Sequence, residues 1–176
     1  MNEVVKALRH RRSVRKYNGT PIDENILKLI LEAGINAPKG DNYNTVEFLL
    51  IENRDTLLEL ARIRKVGTKM LETAGAAVIV LGNQEKSDLW MEDASIAMAY
   101  MHLAADSLGL GSCWIQMWNR DDVNGSDLEP VLRKRFGIPQ QLNPMAILSL
   151  GNISEHPKGH DAESVDWNRV HYEKYE

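Results

Sequence analysis

The stretch from Trp90 to Trp118, WMEDASIAMAYMHLAADSLGLGSCWIQMW, decides the fold. Ala94, Ala97, Met98, Met101, Ala104, Ala105 and Leu108 recur at helical spacing and form one stripe. Ile96, Tyr100 and Leu103 make much of the opposite side apolar as well. A helix apolar nearly all round has to be buried nearly all round. A chain of 176 residues is too small to cover both sides itself, so a second subunit is expected on this helix. Gly109-Leu110-Gly111 ends the helix, and Ser112 to Trp118 continues as a strand. Two glycines at that junction allow close backbone approach.

Upstream, Ala76 to Leu81 is an unbroken apolar run and reads as a buried strand. Asp55 to about Lys65 reads as a short helix and Val46 to Ile51 as a strand. Residues 2–11 form a first helix with Asn2 as its cap. A second follows Asp23, with Ile26, Leu27, Ile30 and Leu31 on one face. Downstream, Asp121 to Phe136 is mostly helix, interrupted at Gly125 and Pro130, and Ala146 to Leu150 is the last clear strand. Residues 151–176 read as an extended tail that embraces a partner subunit. No repeat or linker divides the chain, so residues 1–176 are expected to form a single α+β domain.

Composition narrows the function. With 43% hydrophobic and 26% charged residues, the chain is ordinary globular protein. The longest apolar run, Ala74 to Leu81, is too short to span a bilayer, so no membrane role is expected. The opening Met1-Asn2-Glu3 carries no basic-then-apolar pattern, which points to the cytoplasm. The net charge of −4 argues against nucleic acid as a partner. A lone cysteine, Cys113, excludes an internal disulfide and a multi-cysteine metal site. It reads as a small buried hydrophobe.

Three segments could carry chemistry. Arg9 to Lys16 holds five basic residues in eight positions, which repel one another unless an anion is near. If the chain extends after Ser13, then Ser13, Arg15 and Tyr17 point to one side. Guanidinium forks with a hydroxyl suit a phosphate; charge alone favours a solvated basic surface. The loop 37–44 offers backbone and asparagine amides that suit a heteroaromatic edge, or simply a turn. The third segment is the glycine junction before Cys113. The five histidines, at 10, 102, 156, 160 and 171, show no metal spacing, and His102 reads as a satisfied core residue.

Taken together the segments resemble a known family. Arg11-Arg12-Ser13-Val14-Arg15-Lys16-Tyr17 is similar to the Arg-Arg-Ser-x-Arg-x-Phe/Tyr opening of the nitroreductase family of FMN-dependent oxidoreductases. Ala37-Pro38-Lys39-Gly40-Asp41-Asn42 resembles that family's Ala-Pro-Ser-Gly-x-Asn loop. Gly109 to Trp114 resembles its Gly-Leu-Gly-Ser-Cys-Trp segment, Leu148 to Gly151 its final strand, and His171 to Lys174 its closing tail. The matches fall in family order along essentially the whole chain.

The resemblance implies a nitroreductase-like α+β fold, with a mixed sheet flanked by helices, in a tail-exchanged homodimer. It implies FMN bound between subunits, with NADH or NADPH as electron donor and a small-molecule acceptor such as a nitroaromatic, a quinone or a free flavin. Hydride would pass through flavin N5, without a catalytic side chain. Arg11, Arg12, Ser13 and Arg15 would hold the phosphate, the ribityl chain and the N1/O2 edge. Pro38, Lys39, Gly40 and Asn42 would come from the other subunit. Gln116 and Met117 would bring a backbone N–H to N5. Lys69 would contact flavin or nicotinamide, and Lys158 and His160 would grip the phosphate. Asn44-Thr45-Val46 stands where the family usually has Gln-Pro-Trp, and Lys39 stands for the common Ser. An FMN-binding or redox-sensing protein with little turnover is the alternative.

Overall fold

The computed structural model describes residues 2–40 and 43–175. The helices are α1 (Glu3–His10), α2 (Glu24–Ile35), α3 (Arg54–Ala61), α4 (Trp90–Ser107) and α5 (Leu128–Phe136). The strands are β1 (Val46–Ile51), β2 (Ala76–Asn83), β3 (Leu110–Gln116) and β4 (Leu142–Asn152). Helices and strands alternate in the expected order. The strands form one sheet in the order β1-β2-β4-β3. The sheet expected to be mixed is antiparallel at every strand pair. Its parallel component is a single bridge between Ser13 and Ser112.

The unbroken apolar run of β2 has a direct cause. Ala77, Ile79 and Leu81 pack with Leu57, Leu60, Leu128 and Leu132 on one face of the sheet. Ala76, Val78 and Val80 pack with Leu27, Ile30, Met98 and Met101 on the other. Helices cover both faces, so the strand shows none of the alternation of a half-solvated sheet.

The boundaries of several elements moved: α3 ends at Ala61 rather than near Lys65, and β3 runs from Leu110 to Gln116 rather than from Ser112 to Trp118. β4 begins four residues earlier than expected, because Pro144 lies inside it. Proline cannot donate to the ladder, and it sits where the β2–β4 register shifts between Val80 and Leu81. The segment before α5 is a turn: the Asp122 carboxylate accepts from the N–H groups of Asn124 and Ser126. The helix starts only after its cap Asp127, and Pro130 falls in its first turn, where a missing N–H is harmless.

In α4, Ala94, Ala97, Met98, Met101 and Ala105 are buried as expected. Ile96, Tyr100 and Leu108 stay at the surface. The chain exposes 10,496 Å², about a fifth more than the ~8,700 Å² of a compact monomer of its size. The tail accounts for part of this: residues 161–175 are all exposed, Trp167, Tyr172 and Tyr175 among them. Among the described residues no helix is long and apolar enough to cross a membrane.

Candidate functional site

The basic segment after α1 is laid across the ends of β3 and β4. The Val14 N–H donates to the Ser112 carbonyl at 2.8 Å, and the Asn18 N–H to the Asn152 carbonyl at 2.9 Å. Val14 and Tyr17 are buried, while Arg15 and Lys16 are exposed. The expectation that Ser13, Arg15 and Tyr17 share a side is therefore corrected. The segment pairs with the sheet by one bridge only and does not alternate like a strand. The Tyr17 hydroxyl meets the Val14 carbonyl and Ser149 Oγ, each at 2.7 Å, and burial keeps this phenol protonated. Two glycines make room. A Cβ on Gly111 would lie 2.5 Å from Ile153 and 2.9 Å from Val14, and one on Gly151 would lie 2.5 Å from the Tyr17 ring.

Arg11 and Arg12 turn to neutral acceptors. Arg11 donates to Nε2 of His102 at 3.1 Å, and Arg12 donates to the Lys158 carbonyl. Among the described residues Arg11, Arg12, Arg15 and Lys16 form no ion pair. Ser13 to Tyr17 line a cleft of about 530 Å³, closed on its far side by Ser154, Glu155 and Pro157.

His102 is a satisfied core residue. Its pKa is held down to about 4, chiefly by burial and then by the Arg11 guanidinium. The neutral ring accepts from Arg11 at Nε2, so Nδ1 carries the hydrogen and donates to Ser112 Oγ. His102 thereby aims Arg11. The thiol of Cys113 is pushed up by burial, with Arg15 pulling the other way. It is a protonated, poor nucleophile.

The tail residues Lys158 and His160 do reach the basic segment. The His160 N–H donates to the Arg9 carbonyl at 2.7 Å, and a Cβ on Gly159 would lie 2.8 Å from that same oxygen. The Lys158 ammonium is held by Asp161 at 2.8 Å.

The loop residues stand elsewhere. Lys39 Nζ donates to the Ile35 carbonyl and to Asn44 Oδ1, and the Gly40 N–H donates to the buried Asp93 of α4 at 2.8 Å. Lys39 lines a separate cleft of about 200 Å³ with Asp93 and Ala97. Pro38 is exposed on the same loop, and Asn42 lies outside the described residues. At the end of β3 the Gln116 carbonyl accepts from Arg64 at 2.9 Å. The Met117 N–H donates to the Met145 carbonyl at 3.0 Å and its side chain is buried in the core, so it offers no free N–H. Lys69 is exposed at the start of a 3-10 turn and lines neither cleft.

Sequence reasoning missed one cluster. His10 Nδ1 and His156 Nε2 each lie 2.7 Å from a different oxygen of Asp106. No local spacing could announce it, because the three residues come from α1, α4 and the tail.

Set beside known proteins, the chain matches the sequence profile described as "Nitroreductase family" over residues 8–89 and 61–152. It is 31% identical to a protein of Methanothermobacter thermautotrophicus provisionally named NADH dehydrogenase/NAD(P)H nitroreductase, over 98% of this chain and 88% of that one. It superposes on an FMN-dependent nitroreductase of Clostridium difficile with a TM-score of 0.92 and 34% identity, covering 97% and 99% of the two chains. It superposes on a nitroreductase of Bacteroides fragilis with bound FMN at a TM-score of 0.73 and 29% identity, covering 94% and 98%. The chain belongs to the nitroreductase family.

Proposed function

We propose that this chain is an FMN-dependent NAD(P)H oxidoreductase acting on a small acceptor such as a nitroaromatic, a quinone or a free flavin. One observation carries the reading: four basic side chains in six residues, Arg11, Arg12, Arg15 and Lys16, line or flank a cleft without an ion-paired carboxylate. Such a set calls for an anionic ligand, and a phosphate with an electron-accepting ring fits it. The donor chemistry of the segment suits both ends of FMN.

When bound, FMN supplies reversible two-electron chemistry between nicotinamide and acceptor. Arg11, aimed by His102, and Arg12 bind the phosphate, with Lys158 and His160 of the tail closing over it. Ser13 and Arg15 hold the polar edge of the ring, where the guanidinium stabilises negative charge. The N5 contact falls to the backbone of Gln116, since Met117 has spent its N–H on Met145. Lys69 stands ready for the nicotinamide.

Pro38, Lys39, Gly40 and Asn42 complete the site from a second copy. Gly40 and Lys39 are tied to the cleft beside Asp93 and Ala97, and Ser13 and Arg15 line another, which favours a site assembled across subunits. The exposed Ile96 and Tyr100 of α4, with Leu108 just after it, supply the apolar interface of such a homodimer, and the aromatic tail the exchange. Residues 1–176 act as one domain, in the cytoplasm, without nucleic acid or membrane as partner.

The test is the visible spectrum of the purified protein, followed by anaerobic addition of NADH and of NADPH. A flavin spectrum that bleaches within the mixing time is expected. A colourless protein that takes up no FMN on soaking overturns the reading. Bound FMN that bleaches only over hours with either donor assigns a sensing role instead.

A further inference from the structure

The cluster at the junction of α1, α4 and the tail goes beyond the flavin chemistry. Asp106 lies in the last turn of α4 with its side chain 3% exposed. His10, the last residue of α1, brings Nδ1 to Oδ2, and His156 brings Nε2 to Oδ1, both at 2.7 Å. The two imidazole rings stack with their centroids 3.9 Å apart and their planes 23° from parallel. All the ligand-type atoms lie within 4.8 Å of one another.

The hydrogens do not suffice for two neutral rings. His156 Nδ1 lies 2.6 Å from the Pro157 carbonyl, which can only accept. That nitrogen therefore donates, and a neutral ring leaves a bare lone pair on Nε2, facing a carboxylate oxygen. A positive charge has to stand between them, either a proton or a metal ion. A single extra hydrogen at His156 Nε2, with His10 Nδ1–H donating to the other oxygen, is the rival occupant of this place, and metal content decides between the two. A dication placed between the nitrogens and the carboxylate leaves both rings neutral and gives each lone pair a partner.

We propose that His10 Nδ1, His156 Nε2 and the Asp106 carboxylate form a binding site for a divalent transition-metal cation of the zinc class. Two imidazoles and one carboxylate are a zinc ligand set, with a fourth position left for water. The half-exposed His10 side chain leaves one side open to that water. The His156 Nδ1–H to the Pro157 carbonyl is the outer hydrogen bond that orients a metal-bound histidine. Metal–nitrogen bonds of about 2.0–2.1 Å place adjacent ligand atoms roughly 3.3 Å apart. The ligands therefore spread by about half an ångström on loading, and His156, on a tail outside the helices and strands, supplies the movement. The guanidinium of Arg11, the residue after His10, is held on His102, one helical turn before Asp106. The ion pins the tail, two residues before Lys158, to the end of α1, one residue before Arg11. It is a structural staple of the phosphate end of the cleft.

The experiment uses the purified full-length protein with whatever flavin it carries, stripped with a chelator and dialysed against Zn²⁺ alone. Metal content per chain and the melting midpoint are read. The expected result is one zinc per chain, a midpoint that rises with zinc, and loss of both effects in His10→Ala and in His156→Ala. His171→Ala, a histidine elsewhere on the tail, keeps both. Both substituted side chains have exposed area, so the variants fold, and circular dichroism checks it. Substoichiometric zinc, or stoichiometric zinc undiminished in His10→Ala and His156→Ala, overturns the proposal. Neither readout requires turnover, so the result stands apart from the flavin reading.

Discussion

Arg15 and Arg11 carry the same charge and are expected to do different work. Arg15 reaches into the cleft beside Ser13, whereas Arg11 is turned back onto His102. A cation at the ring edge favours the reduced flavin, which gains negative charge there; a cation at the phosphate favours both redox states equally. Removing a charge-assisted hydrogen bond typically costs about 1.5–3 kcal/mol, which for a two-electron couple is roughly 30–65 mV. Arg15→Ala should lower the potential of bound FMN by that amount. Arg11→Ala should weaken FMN binding and leave the potential nearly unchanged. Spectroelectrochemical titration of each saturated variant decides, and an unshifted Arg15→Ala beside a shifted Arg11→Ala reverses the roles. His102 makes a second prediction. Its pKa in the folded chain, about 4, is below the ordinary 6.5. Between those values the unfolded chain binds the extra proton, so stability is full above pH 6.5 and falls as the pH drops toward 4. The loss is on the order of 3 kcal/mol. Denaturant melts across that range should show it, and His102→Gln should remove most of the slope.

At the scale of elements, the cleft depends on how closely residues 13–17 lie on the sheet. Gly111→Ala and Gly151→Ala push a methyl into Val14 and Ile153, or into the Tyr17 ring. Overpacking of this kind costs about 1–3 kcal/mol, and each variant should melt several degrees lower, at about 2–4 °C per kcal/mol for a chain of this size. FMN titration should show weaker binding as well; unchanged melting and affinity in both variants would refute this account of the cleft. The sequence announced Gly111 because it follows a helix whose stripe is unmistakable, whereas Gly151 entered only through the resemblance of Leu148 to Gly151 to the family's final strand. It announced β2, whose apolar run needs cover on both faces, and α2, whose cap Asp23 accepts from the Asn25 N–H. It hid the start of β4, since Pro144 and Asn143 look like loop residues until the register shift opposite them is seen. It hid the Asp106 cluster for a different reason. Residues far apart in sequence meet only through packing, and His10 and His156 carry no mutual signal. The geometry of the basic segment was not legible, because one bridge to Ser112 does not impose the alternation of a full strand.

The whole molecule exposes roughly 1,800 Å² more than a compact monomer of its mass. A standard interface buries about 800 Å² on each partner, so the surplus is ample for a homodimer. Sedimentation should give a dimer at all concentrations where FMN stays bound, and dilution to the monomer should release the cofactor. A monomer that keeps FMN at full affinity rules out a site shared between subunits. The hydrogen bond from Tyr17 to Ser149 has a further consequence, for the birth of the protein on the ribosome. It joins residues 132 apart in the chain. At synthesis rates of about 5–20 residues per second, the basic segment waits roughly 7–26 seconds after its own emergence for the strand that receives it. Throughout that interval the nascent chain has its cations but no cleft. On the function proposed above, nucleotide capture is deferred until β4 has left the exit tunnel, and a transcript truncated before that strand is expected to yield a product that takes up no FMN.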